Sequence, residues 1–271
     1  MVASRHDRPN AGDERFLFDS IKAGDLARVK QMLHDDGNLL FIEDDHEWSP
    51  VLRATHSPHP EVADHLSRIL LQRIRVGTIP RDNLYGAIHD LGEALHSGTG
   101  FRGCETLRME AEPVIAGYLM NDDSSLRWLA VSVLSAHWDL RRYADVFQQM
   151  SLSDSDDSVR KIALSSVGWL LRSTKDHNAA RFLLSIFRDP GQDASMRQTA
   201  YKGLVEVWQG ANAAHTVFMS MMRIEESLGA AGRAGEEDRG IGSRSRTEKA
   251  WEDVVDWGVV SEVEGELKNR T

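Results

Sequence analysis

One pattern constrains this chain more than any other: D-x-S-φ-R-x-x-A-x-x-x-φ, with φ apolar, occurs three times without gaps between residues 123 and 204. The first copy opens at Asp123, the second at Asp156 and the third at Asp193. Its arginines, Arg127, Arg160 and Arg197, are separated by 33 and 37 residues. The shared small residues are Ala130, Ala163 and Ala200, and the apolar pairs are Leu126/Leu134, Val159/Val167 and Met196/Leu204. An internal repeat at this period indicates stacked supersecondary units, each of which buries its apolar face against its neighbours.

Each copy predicts a helix. The opening Asp can accept backbone N–H bonds from the first turn and suits the positive end of the helix dipole. The residues at φ, Ala and φ recur at i, i+4 and i+8, on one helix face. The alanine leaves room for a neighbouring helix to approach. Upstream of each copy lies an apolar stretch, at 112–120, 143–150 and 179–187, which predicts a partner helix. Two helices per unit make an antiparallel pair, and the expected fold is an all-α solenoid of such pairs.

The pattern over residues 122–209 resembles the second helix of HEAT repeats, in which an Asp, a hydrophobic residue followed by Arg, and a downstream Ala recur. In that family the Asp and Arg commonly form a ladder between stacked units. The resemblance therefore implies a structural ladder of Asp123, Arg127, Asp156, Arg160, Asp193 and Arg197. It says little about activity, because one fold hosts many functions.

The first half carries a fainter repeat with a 33-residue offset, pairing Val29 with Val62 and Leu33 with Leu66. The run Ser49-Pro50-Val51-Leu52-Arg53-Ala54 is similar to the ankyrin T-P-L-H-x-A start, and Ala23–Val29 resembles the ankyrin inter-helix segment. No T-P-L-H is intact, and Pro58 and Pro60 replace the usual Gly-His. These residues are read as ankyrin-like, or divergent HEAT-like, helix pairs at the start of the same stack. Pro60 suits the first turn of a helix reaching about Ile74, and another helix follows Pro80 with Leu84, Ile88, Leu91 and Leu95 on one face. The glycines of 96–103 lack the Lys-Ser/Thr of a phosphate-binding loop and follow a helix, so this stretch is read as a connection.

Composition shifts mark the ends. Residues 229–249 are Gly-rich, charged and almost without large apolar groups, as in segments too poor in apolar surface to offset their ordering entropy. Trp251, Val254, Val255, Trp257, Val259 and Val260 then return among acids, suggesting a segment that folds back or docks on a partner. The expected organisation is a disordered N-terminus at 1–12, helical pairs at 13–104, HEAT-like repeats at 105–228, a disordered linker at 229–250 and a docking segment at 251–271. No run reaches the roughly 20 apolar residues that span a bilayer, and the polar N-terminal stretch has no signal-peptide core. With one cysteine, Cys104, neither an intrachain disulfide nor a CxxC site can form. A cytoplasmic protein is expected.

Chemistry-bearing motifs are scarce. His46-Glu47 is the one His-Glu dipeptide among 11 histidines, whereas the HEAT-like metal hydroxylases need several such pairs. There is no HExxH, no G-x-S-x-G and no catalytic context around Cys104. Neither a metal nor a cofactor is expected, and no catalytic residue is assigned. The net charge of −10 disfavours a nucleic-acid partner, which needs a basic face, and inclines toward a basic protein.

Binding residues are sought where the repeats differ. At about 100° per residue, the position after each repeat Arg turns away from the core face. Trp128, Lys161 and Gln198 hold that place, followed by Ser132, Ser165 and Lys202. The expected partner-binding set is Trp128, Ser132, Lys161, Ser165 and Lys202, with Trp128 as an apolar anchor. The expected function is a non-enzymatic scaffold for a protein partner, an inhibitor or immunity-type neutraliser of a basic protein being one form. The alternative is a HEAT-like DNA glycosylase acting on alkylated bases, since Trp128, Trp138, Trp169 and Trp208 lie on or beside the repeated helices.

Overall fold

A computed structural model describes residues 11–96, 104–217, 219–220 and 254–269, and the described residues are helical, with no strand among them. The expected disordered segments at 1–12 and 229–250 lie outside these residues except for the start of the first helix, as does Trp251. The chain divides into two compact units, residues 1–139 and 140–271, so the division falls inside the three-fold repeat.

In the first unit the helices are α1 (Ala11–Ala23), α2 (Leu26–Asp35), α3 (Pro50–Thr55), α4 (Pro60–Val76), α5 (Arg81–Ala94), α6 (Cys104–Gly117) and α7 (Ser124–Ser132). Local chemistry sets their ends. Asp25 Oδ1 accepts the Arg28 N–H at 3.0 Å, and Ser49 Oγ accepts the Leu52 N–H at 3.2 Å ahead of Pro50. Pro60 opens α4, and Gly77 closes it at φ +68°, a conformation that costs glycine little. Helix α1 packs on α2 and α3, α3 on α4 and α5, and α5 on α7. Leu17, Val29, Val51, Leu66, Ile88, Leu107 and Leu129 are buried between them.

Helix α6 differs from the expectation at 112–120, because it begins at Cys104 and runs through Pro113. The proline supplies no N–H to the preceding turn. Nearby, the Arg75 guanidinium of α4 donates to the Glu110 carbonyl at 3.3 Å, giving that turn a donor from outside the helix. Helix α7 ends in a widened π turn, Val133–His137, with the Trp138 N–H bonded to Val133 O at 3.0 Å. That turn swings Trp138 into the core, where it is 2% exposed and its Nε1–H donates to Gly92 O at 3.1 Å.

In the second unit the helices are α8 (Ala144–Ser153), α9 (Asp157–Leu170), α10 (His177–Arg188), α11 (Ala194–Gln209) and α12 (Trp257–Lys268), with a further helical run at 211–217. Helix α8 packs on α9, α10 on α11, and α9 directly on α11. All the repeat's apolar and alanine positions are buried in their units. In the α9–α10 connection Ser173 and Lys175 take positive φ of 61° and 53°. Their N–H groups donate to Glu206 O (2.8 Å) and Val207 O (3.0 Å) of α11, contacts that hold this sparsely populated backbone in place.

Helix α12 lies on α10 and α11 of its own unit. Val259, Val260, Val263 and Leu267 are buried, while Arg188 pairs with Glu264 at 2.7 Å. The Trp208 indole donates to Glu262 at 2.9 Å, and the Asp256 N–H donates to the Tyr201 hydroxyl at 2.7 Å.

Candidate functional site

The repeat aspartates cap their helices. Asp123 Oδ1 accepts the Ser125 N–H (2.9 Å), Asp156 Oδ1 those of Ser158 and Val159 (2.8 and 3.2 Å), and Asp193 Oδ1 that of Met196 (2.9 Å). The arginines bind the chain just before those caps. Arg127 donates to the carbonyls of Asn121 and Asp122 (2.8 and 3.1 Å), Arg160 to Asp154 (2.9 Å), and Arg197 to Phe187 (3.0 Å). Arg160 is also paired with Asp157. These six side chains therefore join the first two repeat helices to the turn before them and the third to the last turn of α10, and Arg127 is 9% exposed.

The expected binding residues separate into two groups. Trp128 and Ser132 lie on α7 in the first unit, Lys161, Ser165 and Lys202 on α9 and α11 in the second. All five are half-buried, so Trp128 is not the open apolar anchor that its helical position suggested. Adjacent Leu129, Ala130 and Val131 are buried, so the apolar sector of α7 is wide and Trp128 sits at its margin.

On α9 the surface stripe continues past Lys161 and Ser165 to a residue the repeat alignment passed over. Asp157, Lys161, Ser165 and Trp169 follow one another at four-residue spacing, and the first and last are exposed. Trp169 is 37% exposed. The Arg172 guanidinium lies 4.6 Å from the centre of its ring, and Nη1 donates to Trp169 O at 2.7 Å. This fixes an indole and a guanidinium side by side at the end of α9. The spacing from Ser165 was the available signal.

Beneath this pair is a buried carboxylate, Glu206 on α11, 5% exposed. Burial raises its pKa above the ordinary value, while Lys202, 3.8 Å away, and Arg172 act in the opposite direction. Glu206 thus pairs with Lys202 one turn away on α11 and feels the charge of Arg172 from the end of α9. The result is a patch with an aromatic anchor, flanking cations and one internal anion.

The other tryptophans of the repeat helices serve packing. Trp138 is bonded to Gly92, and Trp208 is 4% exposed, with Lys175 over its ring at 5.3 Å and His177 edge-on at 5.8 Å. The acidic run at 43–47 is an exposed turn, with Glu43, Asp45, His46 and Glu47 facing solvent. Asp44 accepts the His46 and Trp48 N–H groups (2.9 and 3.2 Å) and pairs with Arg53. Burial raises the Asp44 pKa, but these bonds outweigh it and hold the carboxyl below its usual value. Among the described residues no group of three or more His, Cys, Asp or Glu side chains could hold a metal ion, and no helix is long and apolar enough to cross a membrane.

The described residues thus define an all-helical protein with a Trp–Arg surface patch on a repeat helix. No protein-family model, curated protein or solved structure matches the chain.

Proposed function

We propose that this chain is a non-enzymatic helical-repeat scaffold, a HEAT-like solenoid, that binds a protein partner through the α9–α11 face. The observation that carries the reading is the exposed Trp169 ring held against Arg172 at 4.6 Å. Trp and Arg are the residue types most enriched where a few side chains dominate binding energy. Their mutual contact also reduces the side-chain entropy lost on association. Lys161 and Ser165 continue the same face of α9 at four-residue spacing, and Lys202 lies on α11, which packs on α9. The net charge of −10 favours encounter with a basic partner at long range, consistent with an inhibitor or immunity-type role.

The glycosylase alternative receives less support, because Trp138 and Trp208 are occupied in packing and their indole N–H groups are bonded. The test is affinity capture with the wild type and Trp169→Ala, then reconstitution with each purified candidate. The expected result is a partner whose affinity falls at least about thirtyfold in the variant, the scale of one dominant contact. Equal affinity of both forms for every reconstituted partner would reject this face, and salt-dependent duplex-DNA binding would favour the alternative.

A further inference from the structure

A second surface feature lies in the first unit, and none of the expected binding residues lines it. Helices α2 and α4, with the short 3-10 helix Gly37–Phe41, flank an open surface cavity of about 320 Å³, at whose rim Lys30 and His34 are exposed. Its charged and titratable lining is Lys30, His34, His65 and Arg73, with no carboxylate among the lining residues. Leu33, Leu40 and Ile69 supply an apolar wall. Such a concentration of nitrogen donors is unexpected in a chain with 42 acidic and 32 basic residues.

The cavity is built from the helical period. Lys30 and His34 are one turn apart on α2, and His65, Ile69 and Arg73 follow at four-residue spacing on α4. Arg73 is fixed: Nη1 donates to Gly37 O at 2.7 Å, and its guanidinium lies 5.3 Å from the Phe41 ring centre. The absence of a side chain at Gly37 permits this, since a Cβ there would be 2.8 Å from Arg73 Nη2. Burial and the positive charge of Lys30 lower the His65 pKa, with Asp64 opposing. Lys30 thus places a positive charge close enough to His65 to be felt by its imidazole.

We propose that this cavity is a binding site for a small organic anion, a carboxylate or phosphate monoester with an apolar body. The anionic group takes donors from Lys30, Arg73 and the two imidazoles, and the apolar body lies against Leu33, Leu40 and Ile69. The volume is at the small end of the range typical of ligand pockets. Charge-assisted donors converging on one anion, beside an apolar wall, supply both orientation and selectivity.

The test uses the full chain with histidine ring carbons labelled, titrated with phenyl phosphate, phenylacetate, inorganic phosphate and neutral benzyl alcohol. His34→Gln and His65→Gln assign the two signals. The expected result is saturable shifts of His34 and His65 with at least one of the two aromatic anions, whichever fits better identifying the anionic group. Inorganic phosphate and benzyl alcohol should each bind at least about tenfold more weakly than that anion. Lys30 is exposed, so Lys30→Gln keeps the fold, confirmed by circular dichroism, and should weaken binding by about tenfold. Absence of saturable shifts with both aromatic anions overturns the assignment. So does equal binding of benzyl alcohol, equal binding of inorganic phosphate, or unchanged affinity in a folded Lys30→Gln protein.

Discussion

Gly168 and Gly203 bring α9 and α11 into backbone contact: a Cβ placed on Gly168 would lie 2.5 Å from Gly203 Cα and 2.6 Å from Glu206 Oε2. A methyl group cannot be accommodated there by a side-chain rotation, because the nearest atom belongs to the main chain. Gly168→Ala should therefore separate the helices and destabilise the second unit by about 1–3 kcal/mol, the usual cost of overpacking. Thermal denaturation followed by circular dichroism measures it.

The opposite sign is expected at Gly86. It lies exposed inside α5, with no atom within 4 Å of a built Cβ. Gly86→Ala removes backbone freedom from the unfolded chain without meeting a neighbour. It should stabilise the protein by about 0.5–1 kcal/mol, read from the shift in urea midpoint.

Glu206 links the patch to pH. Its folded-state pKa is raised by burial, so its contribution to stability is fully present below the ordinary carboxylate value, 4.5, and is lost as pH rises through the folded value. Glu206→Gln should thus gain stability relative to the wild type above that range, with the difference shrinking as pH falls toward 4.5. Paired melting curves across this interval show the trend, and a pH-independent difference would mean that the carboxylate's charge is not involved.

Tyr201 anchors the start of α12 by accepting the Asp256 N–H at 2.7 Å from a fully buried ring. Tyr201→Phe removes the acceptor and should cost about 1–2 kcal/mol of helix docking. Hydrogen exchange of residues 257–268 should accelerate while that of α9 stays as in the wild type.

These relationships explain which features the sequence exposed. N-caps are local, so Asp123, Asp156 and Asp193 could be assigned from spacing alone. The buried faces of α7, α9 and α11 followed from the helical period. Trp169 entered only the glycosylase alternative and not the partner-binding set, because comparing aligned copies position by position stops short of it, whereas α9's own surface stripe extends beyond the aligned segment. The Gly168–Gly203 contact was invisible because helical glycines read as weak positions until the facing helix is known. Helix α12 depends on pairs 54 and 76 residues apart, Trp208–Glu262 and Arg188–Glu264, which no local period reports. The cavity behaves likewise: each half follows a four-residue spacing, but only the pairing of α2 with α4 makes a pocket.

Whether the α9–α11 face binds a protein is read out by site-specific photocross-linking. A photoreactive residue replaces Ser165, with Lys22 of the other unit as the control position, and the protein is irradiated in its native cells. Protein binding at this face yields one discrete protein adduct from position 165, absent from position 22 and lost when Trp169→Ala is added. Cross-linking to nucleic acid, or an adduct that persists undiminished in Trp169→Ala, would contradict it.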